Sequence, residues 1–189
     1  QELIEQFSLD RVSKSGAKFD FETGKWFNHK YLQTKSNEEL ADIFQHMLVE
    51  KDIIEDSEKV AKIVGLIKER ANFVTDLWEQ SYFFFQTPVT YDEKTVSKRW
   101  KENTPVQMTE LMQVLEGIDD FSSSNQEVVV IKWIEEKGYG MGAVMNAFRL
   151  ALVGAAKGPH LFDITEIIGK EETIARLRRA VVMLNKKEE

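Results

Sequence analysis

Few side chains in this 189-residue chain have the type and spacing to do chemistry. Its histidines, His29, His46 and His160, stand at no metal-ligand spacing from one another and in no HExxH-like frame. No metal site is therefore expected. Glu171-Glu172 open a segment with helical spacing, where carboxylates meet the positive end of the helix dipole, and capping explains them better than acid–base work. Gly138-Tyr139-Gly140-Met141-Gly142 lacks the Lys-Ser/Thr ending of a phosphate-binding loop and follows no strand, so a turn between helices is the stronger reading. Arg149 is of another kind. Its planar guanidinium offers five donors in a fork suited to pyrimidine carbonyl oxygens or phosphate. Leu161, at the start of the next helix, could close an apolar wall over a base. Sequence-specific RNA reading works on unstacked loop bases with such groups. Lys157, Lys170, Arg176, Arg178 and Arg179 are candidate phosphate contacts, which position RNA without specifying it. A salt-bridged helix residue for Arg149, and a solvated face for the other five, are the competing structural readings.

Composition bounds what those residues can belong to. The length fits one large or two small domains, and 42% hydrophobic residues are enough for a real core. The absence of cysteine removes disulfides and thiolate zinc sites and suits a cytosolic protein. No apolar run reaches the length of a membrane span. The chain opens on Gln1 with no basic leader or signal core, as a piece of a longer protein would. Net charge is −7, against the basic balance usual in nucleic-acid binders. It is uneven: residues 1–137 carry −9 and residues 138–189 carry +2. A local face matters more than the total for docking.

The elements that must position these residues read as helix after helix. Ser36-Asn37-Glu38-Glu39 is a capping box, followed by Leu40, Ile43, Phe44, Met47 and Leu48 at helical spacing. Val60, Ile63, Val64 and Ile67 repeat the pattern, and Phe73, Leu77, Phe84 and Phe85 extend a third helix that Pro88 ends. A short helix spans about Lys94 to Trp100. Pro105 fits a first helical position after Asn103-Thr104, and Met108, Leu111, Met112, Leu115 and Ile118 line the helix that follows. Ser124 and Glu127 form a second capping box, with Val128, Ile131 and Ile134 facing inward. Helices of about Gly142–Leu152, His160–Ile168 and Lys170–Leu184 complete the chain. The Phe83–Phe85 run and the tryptophans are spaced like core. Residues 8–20 look irregular. The expected class is all-α, in two consecutive helical subdomains over residues 1–103 and 104–189, the second a helical bundle or superhelix.

The run Ala147-Phe148-Arg149-Leu150-Ala151-Leu152-Val153-Gly154, then Gly158-Pro159-His160-Leu161-Phe162-Asp163-Ile164 and Glu166–Leu177, closely resembles the C-terminal end of bacterial-type glutamyl-tRNA synthetases. Phe7–Tyr31 and Lys68–Phe73 with Asp76-Leu77-Trp78 also resemble that family, so the likeness covers essentially the whole chain. It implies an anticodon-binding region that docks the anticodon arm of tRNA(Glu). Arg149 and Leu161 would face the first anticodon base, Pro159 and His160 the middle base through backbone groups, and Arg70 the third. Ser13-Lys14-Ser15-Gly16 imitates the ATP-holding lysine–serine loop of class I synthetases, but no nucleotide-binding sheet accompanies it. The likeness implies a fragment without a catalytic residue or cofactor of its own, monomeric and cytoplasmic. ATP and Mg²⁺ would be used by a catalytic domain elsewhere in the same polypeptide, a glutamate–tRNA ligase. An all-α protein–protein interaction scaffold without RNA binding is the alternative.

Overall fold

The computed structural model describes Glu5 and residues 20–185. The reading of residues 8–20 as irregular and the Ser13-Lys14-Ser15-Gly16 tetrad fall, Asp20 apart, outside the described residues. Among the described residues there are helices and no strand: α1 (Phe21–Thr34), α2 (Asn37–Val49), α3 (Ser57–Ile67), a 3-10 turn (Lys68–Arg70), α4 (Asp76–Phe85), α5 (Glu93–Arg99), α6 (Thr104–Glu116), α7 (Ser123–Lys137), α8 (Met141–Val153), α9 (Leu161–Ile168) and α10 (Lys170–Asn185). The chain is all-α, as its periodicity indicates. No described helix is long and apolar enough to cross a membrane.

Short polar side chains start these helices. Asp20, Asp56 and Asp92 each accept from backbone N–H groups of the first turn of α1, α3 and α5. Ser36 and Glu39 make the expected capping box of α2, with Glu39 N donating to Ser36 Oγ at 3.1 Å and Ser36 N to Glu39 Oε2 at 2.9 Å. The second expected box is absent. The helix begins at Ser123 with Ser122 as its N-cap, two residues early, and its end is satisfied from α9: Ser123 N donates to Glu166 and Ser123 Oγ to Asp163.

That tertiary cap changes which face of α7 is buried. Gln126 is fully buried, donating through Nε2 to Phe121 O at 2.6 Å and accepting from Thr165 Oγ1 at 2.6 Å. A buried amide must keep such partners. The inward stripe is therefore Gln126, Val130, Trp133 and Ile134, while Val128 faces solvent and Ile131 is half-buried. In α2 the stripe is Leu40, Ala41, Phe44 and Leu48, and Ile43 is exposed. Trp26 is exposed rather than core, and Phe85 is partly buried beside fully inward Phe83 and Phe84.

The buried side chains form one cluster running from Leu32 to Leu184. Pairs α2–α3, α3–α4 and α6–α10 build its ends, and α8 packs on both α5 and α10. Across the middle, α9 packs on α4. Residues beyond 104 are thus packed against residues before 103, and the candidate site lies along this seam.

Two glycines end helices in the left-handed region. Gly138 closes α7 with φ +66°, and a Cβ there would meet nothing. Gly154 closes α8 with φ +79°, and a Cβ would sit 2.7 Å from the Thr90 carbonyl oxygen and 3.0 Å from Pro88 Cβ. Gly138→Ala is expected to cost about 1 kcal/mol from backbone strain alone. Gly154→Ala should cost at least twice that, since collision adds to strain. Urea-denaturation midpoints of the two variants check this; equal losses would mean that the Thr90 contact yields freely.

Candidate nucleic-acid interface

The segment from Gly154 to His160, joining α8 to α9, is held on every side. Asp92 N donates to Gly154 O at 2.8 Å, and Tyr82 OH donates to Val153 O at 3.1 Å. Lys157 reaches back to α4, its Nζ donating to Glu79 O at 3.1 Å and lying 4.8 Å from the centre of the Tyr82 ring. Gly158 has φ +109°, and a Cβ there would press on Phe83 Cζ at 3.1 Å and Arg149 Nη1 at 3.4 Å. Only glycine lets the loop lie this close to both.

Arg149 closes the arrangement. Its Nη1 donates to Pro159 O at 2.8 Å and to Lys157 O at 3.3 Å, so one corner of the fork pins the loop. Nε and Nη2 make no hydrogen bond among the described residues. Burial, and then the positive charge of Arg70, pull the Arg149 guanidinium below its ordinary range. Arg70 stands at the end of the 3-10 turn. Neither guanidinium is ion-paired among the described residues. A guanidinium without an ion pair suits anionic or strongly accepting ligands.

The remaining expected site residues divide. His160 stands exposed at the N-cap of α9, 3.5 Å from Glu127 Oε1 and 3.6 Å from Asp163 Oδ1. Pro159 is buried and its carbonyl is engaged by Arg149. Leu161 is only 2% exposed, so it belongs to the core and cannot form an apolar wall over a base. Its backbone amide, in the first turn of α9, is all it retains for a ligand. Lys170 is anchored by Nζ to Glu116 O at 3.4 Å, the carbonyl end of α6. Arg178 and Arg179 are exposed on α10 and line a groove with Thr87, Glu172, Val182 and Met183.

Arg176 is the clearest correction. It is 2% exposed and cannot touch a phosphate. Its Nη1 donates to Phe83 O at 2.6 Å and Leu152 O at 2.9 Å, and its Nε to Glu172 Oε1 at 2.7 Å. Thr87 Oγ1 donates to the same carboxylate oxygen. Tyr82 and Gly158 also shape the site and were not legible as site residues. The sequence cue available was the Tyr82–Phe85 aromatic run, which reads as core throughout.

A family model described as an anticodon-binding domain matches residues 37–181. The chain belongs to the anticodon-binding domain family. Within that family it is 59% identical over 183 residues to a glutamate–tRNA ligase of Phocaeicola vulgatus and 56% identical to that of Bacteroides fragilis, each match covering 97% of this chain. A crystal structure of a glutamate tRNA ligase from Elizabethkingia meningosepticum in complex with its amino acid is 44% identical, with a TM-score of 0.90 over 97% of this chain. The chain spans 36% of the length of each of these relatives. The resemblance carried by the Arg149–Leu177 run is borne out, and the scaffold alternative has no support.

Replacing Arg176 with alanine would strand two helix-end carbonyls and a carboxylate, at an expected cost of about 3 kcal/mol. Glu172 adds a pH dependence. Burial pushes its carboxyl up, but the Thr87 hydroxyl and the Arg176 guanidinium outweigh that and hold it below the ordinary carboxylate range. The unfolded chain therefore takes up this proton first as pH falls. The stabilisation is complete above the ordinary carboxylate pKa and is lost below it, through the lower folded value. Denaturation midpoints between neutral and acid pH should fall less steeply for Glu172→Gln than for the parent chain; parallel curves would refute the linkage.

Proposed function

We propose that this chain is the anticodon-arm-reading part of a glutamate–tRNA ligase. Joining glutamate to tRNA(Glu) with ATP and Mg²⁺ would belong to a catalytic domain of the same polypeptide, working in the cytoplasm. This fragment would act as a monomeric docking body without a catalytic residue. The observation that carries the proposal is the Arg149 guanidinium, pinned by Nη1 to the Gly154–His160 loop and without an ion pair among the described residues, within a fold matched to anticodon-binding domains. The two helical parts, 1–103 and 104–189, would present that guanidinium along their seam.

The division of labour follows from the donors left free. Arg149 keeps Nε and Nη2 for a base, because Nη1 is committed to the loop. Two adjacent N–H groups suit two adjacent acceptors on a base edge. His160 and the amides that open α9 serve the middle base, and Arg70 the third. Lys157, Lys170, Arg178 and Arg179 remain as phosphate contacts, with Arg176 withdrawn.

Arg149→Ala in the full-length ligase is expected to cost about 1–3 kcal/mol in tRNA affinity and to relax preference at the first anticodon position. tRNAs varied only at that base, with melting curves alongside, are the measurement. Equal weakening for every tRNA would make Arg149 a phosphate contact, and an unchanged ratio would exclude direct reading. A salt series gives an independent check. With about four phosphates neutralised, log affinity should fall against log salt with a slope of roughly −3; affinity independent of salt would remove the phosphate contacts.

A further inference from the structure

The last carbonyls of a helix find no donor inside it. At the end of α8 three successive ones are each met from a different part of the chain. Leu152 O accepts from Arg176 Nη1 at 2.9 Å, Val153 O from Tyr82 OH at 3.1 Å and Gly154 O from Asp92 N at 2.8 Å. Tyr82 meets the chain again four residues further on, where Lys157 Nζ lies 4.8 Å from the centre of its ring. The same ring packs edge to face on Phe83 with centres 5.5 Å apart, and Gly158 lies directly against Phe83. Burial pushes the Tyr82 phenol above its ordinary range, so its hydroxyl remains a donor at neutral pH.

Lys157 joins Tyr82 to Arg149. Its ammonium is held over the Tyr82 ring and by Glu79 O, while its carbonyl accepts from Arg149 Nη1 at 3.3 Å. The bond from Arg149 to Pro159 O at 2.8 Å uses the same nitrogen. Where the loop stands therefore decides which corner of the Arg149 fork is occupied. We infer, on the reading of Arg149 as a base contact, that Tyr82 is a positioning residue for anticodon discrimination. By holding Val153 O and Lys157 it fixes the loop that occupies Arg149 Nη1 and leaves Nε and Nη2 for the base. Tyr82 acts through the loop, with no contact to RNA of its own.

Two substitutions separate its parts. Tyr82→Phe removes the hydroxyl and keeps the ring under Lys157, and Tyr82→Leu removes both. The measurement is the affinity of the full-length ligase for tRNA(Glu) and for tRNAs varied only at the first anticodon base, with melting temperatures alongside. The ratio of these affinities should fall roughly three-fold in Tyr82→Phe and roughly ten-fold in Tyr82→Leu, within the range by which residues remote from a ligand alter coupling. In an Arg149→Ala background Tyr82→Phe should change the ratio no further, because the two residues act in series. Equal weakening for every tRNA, with a lowered melting temperature, would make Tyr82 a stability residue only and overturn the inference. So would a loss of ratio that persists undiminished without Arg149. If Arg149→Ala itself leaves the ratio unchanged, the base-reading role falls and this inference with it. An effect of Arg149→Ala without one of Tyr82→Phe sinks the inference alone.

Discussion

One buried guanidinium nitrogen holds two helix ends together. Arg176 Nη1 donates to Phe83 O in the last turn of α4 and to Leu152 O in the last turn of α8, carbonyls with no partner inside their own helices. A cation at a helix C-terminus is favourable, and here one serves two such ends in a site closed to water. The charge is tolerable because Glu172, itself held by Thr87, sits against it. With α4 and α8 tied at this point, the chain leaving α8 must run along α4, and it does so through Lys157, Gly158 and Tyr82.

The proposed site at Arg149 follows from that path. The Gly154–His160 loop places two carbonyls where Arg149 Nη1 can bind them, and Nε and Nη2 keep no hydrogen bond among the described residues. Arg70, in the 3-10 turn after α3, adds a positive charge that bears on Arg149 from the other half of the chain. A net charge of −7 is therefore no obstacle to an RNA role. What counts is the local balance, where Arg149 carries no ion pair among the described residues and stands beside a loop that holds Lys157.

The helix order, most boundaries and the buried faces of α3 and α6 were legible because their hydrophobic period and caps agree with their packing. Failures came where a distant partner decided. Val128 faces solvent because Gln126 is held by Thr165 from another helix. Arg176 reads like its neighbours Arg178 and Arg179 in sequence, but the unfilled carbonyls it serves lie far away along the chain and leave no local sign. Leu161 carries the pattern of a site residue and the burial of a core residue, so its contribution passes to its backbone. Trp26 reads as core because aromatic spacing alone does not show which side of a helix is covered.

The central claim is that Arg149 and Arg70 act together on one RNA loop, each at its own base. A double-mutant cycle decides it, with Arg149→Ala, Arg70→Ala and the pair measured for tRNA affinity in the full-length ligase. Residues sharing a ligand and a field should be non-additive, with a coupling above about 0.5 kcal/mol. Strictly additive losses, with both single variants folded to the same extent, would contradict joint action.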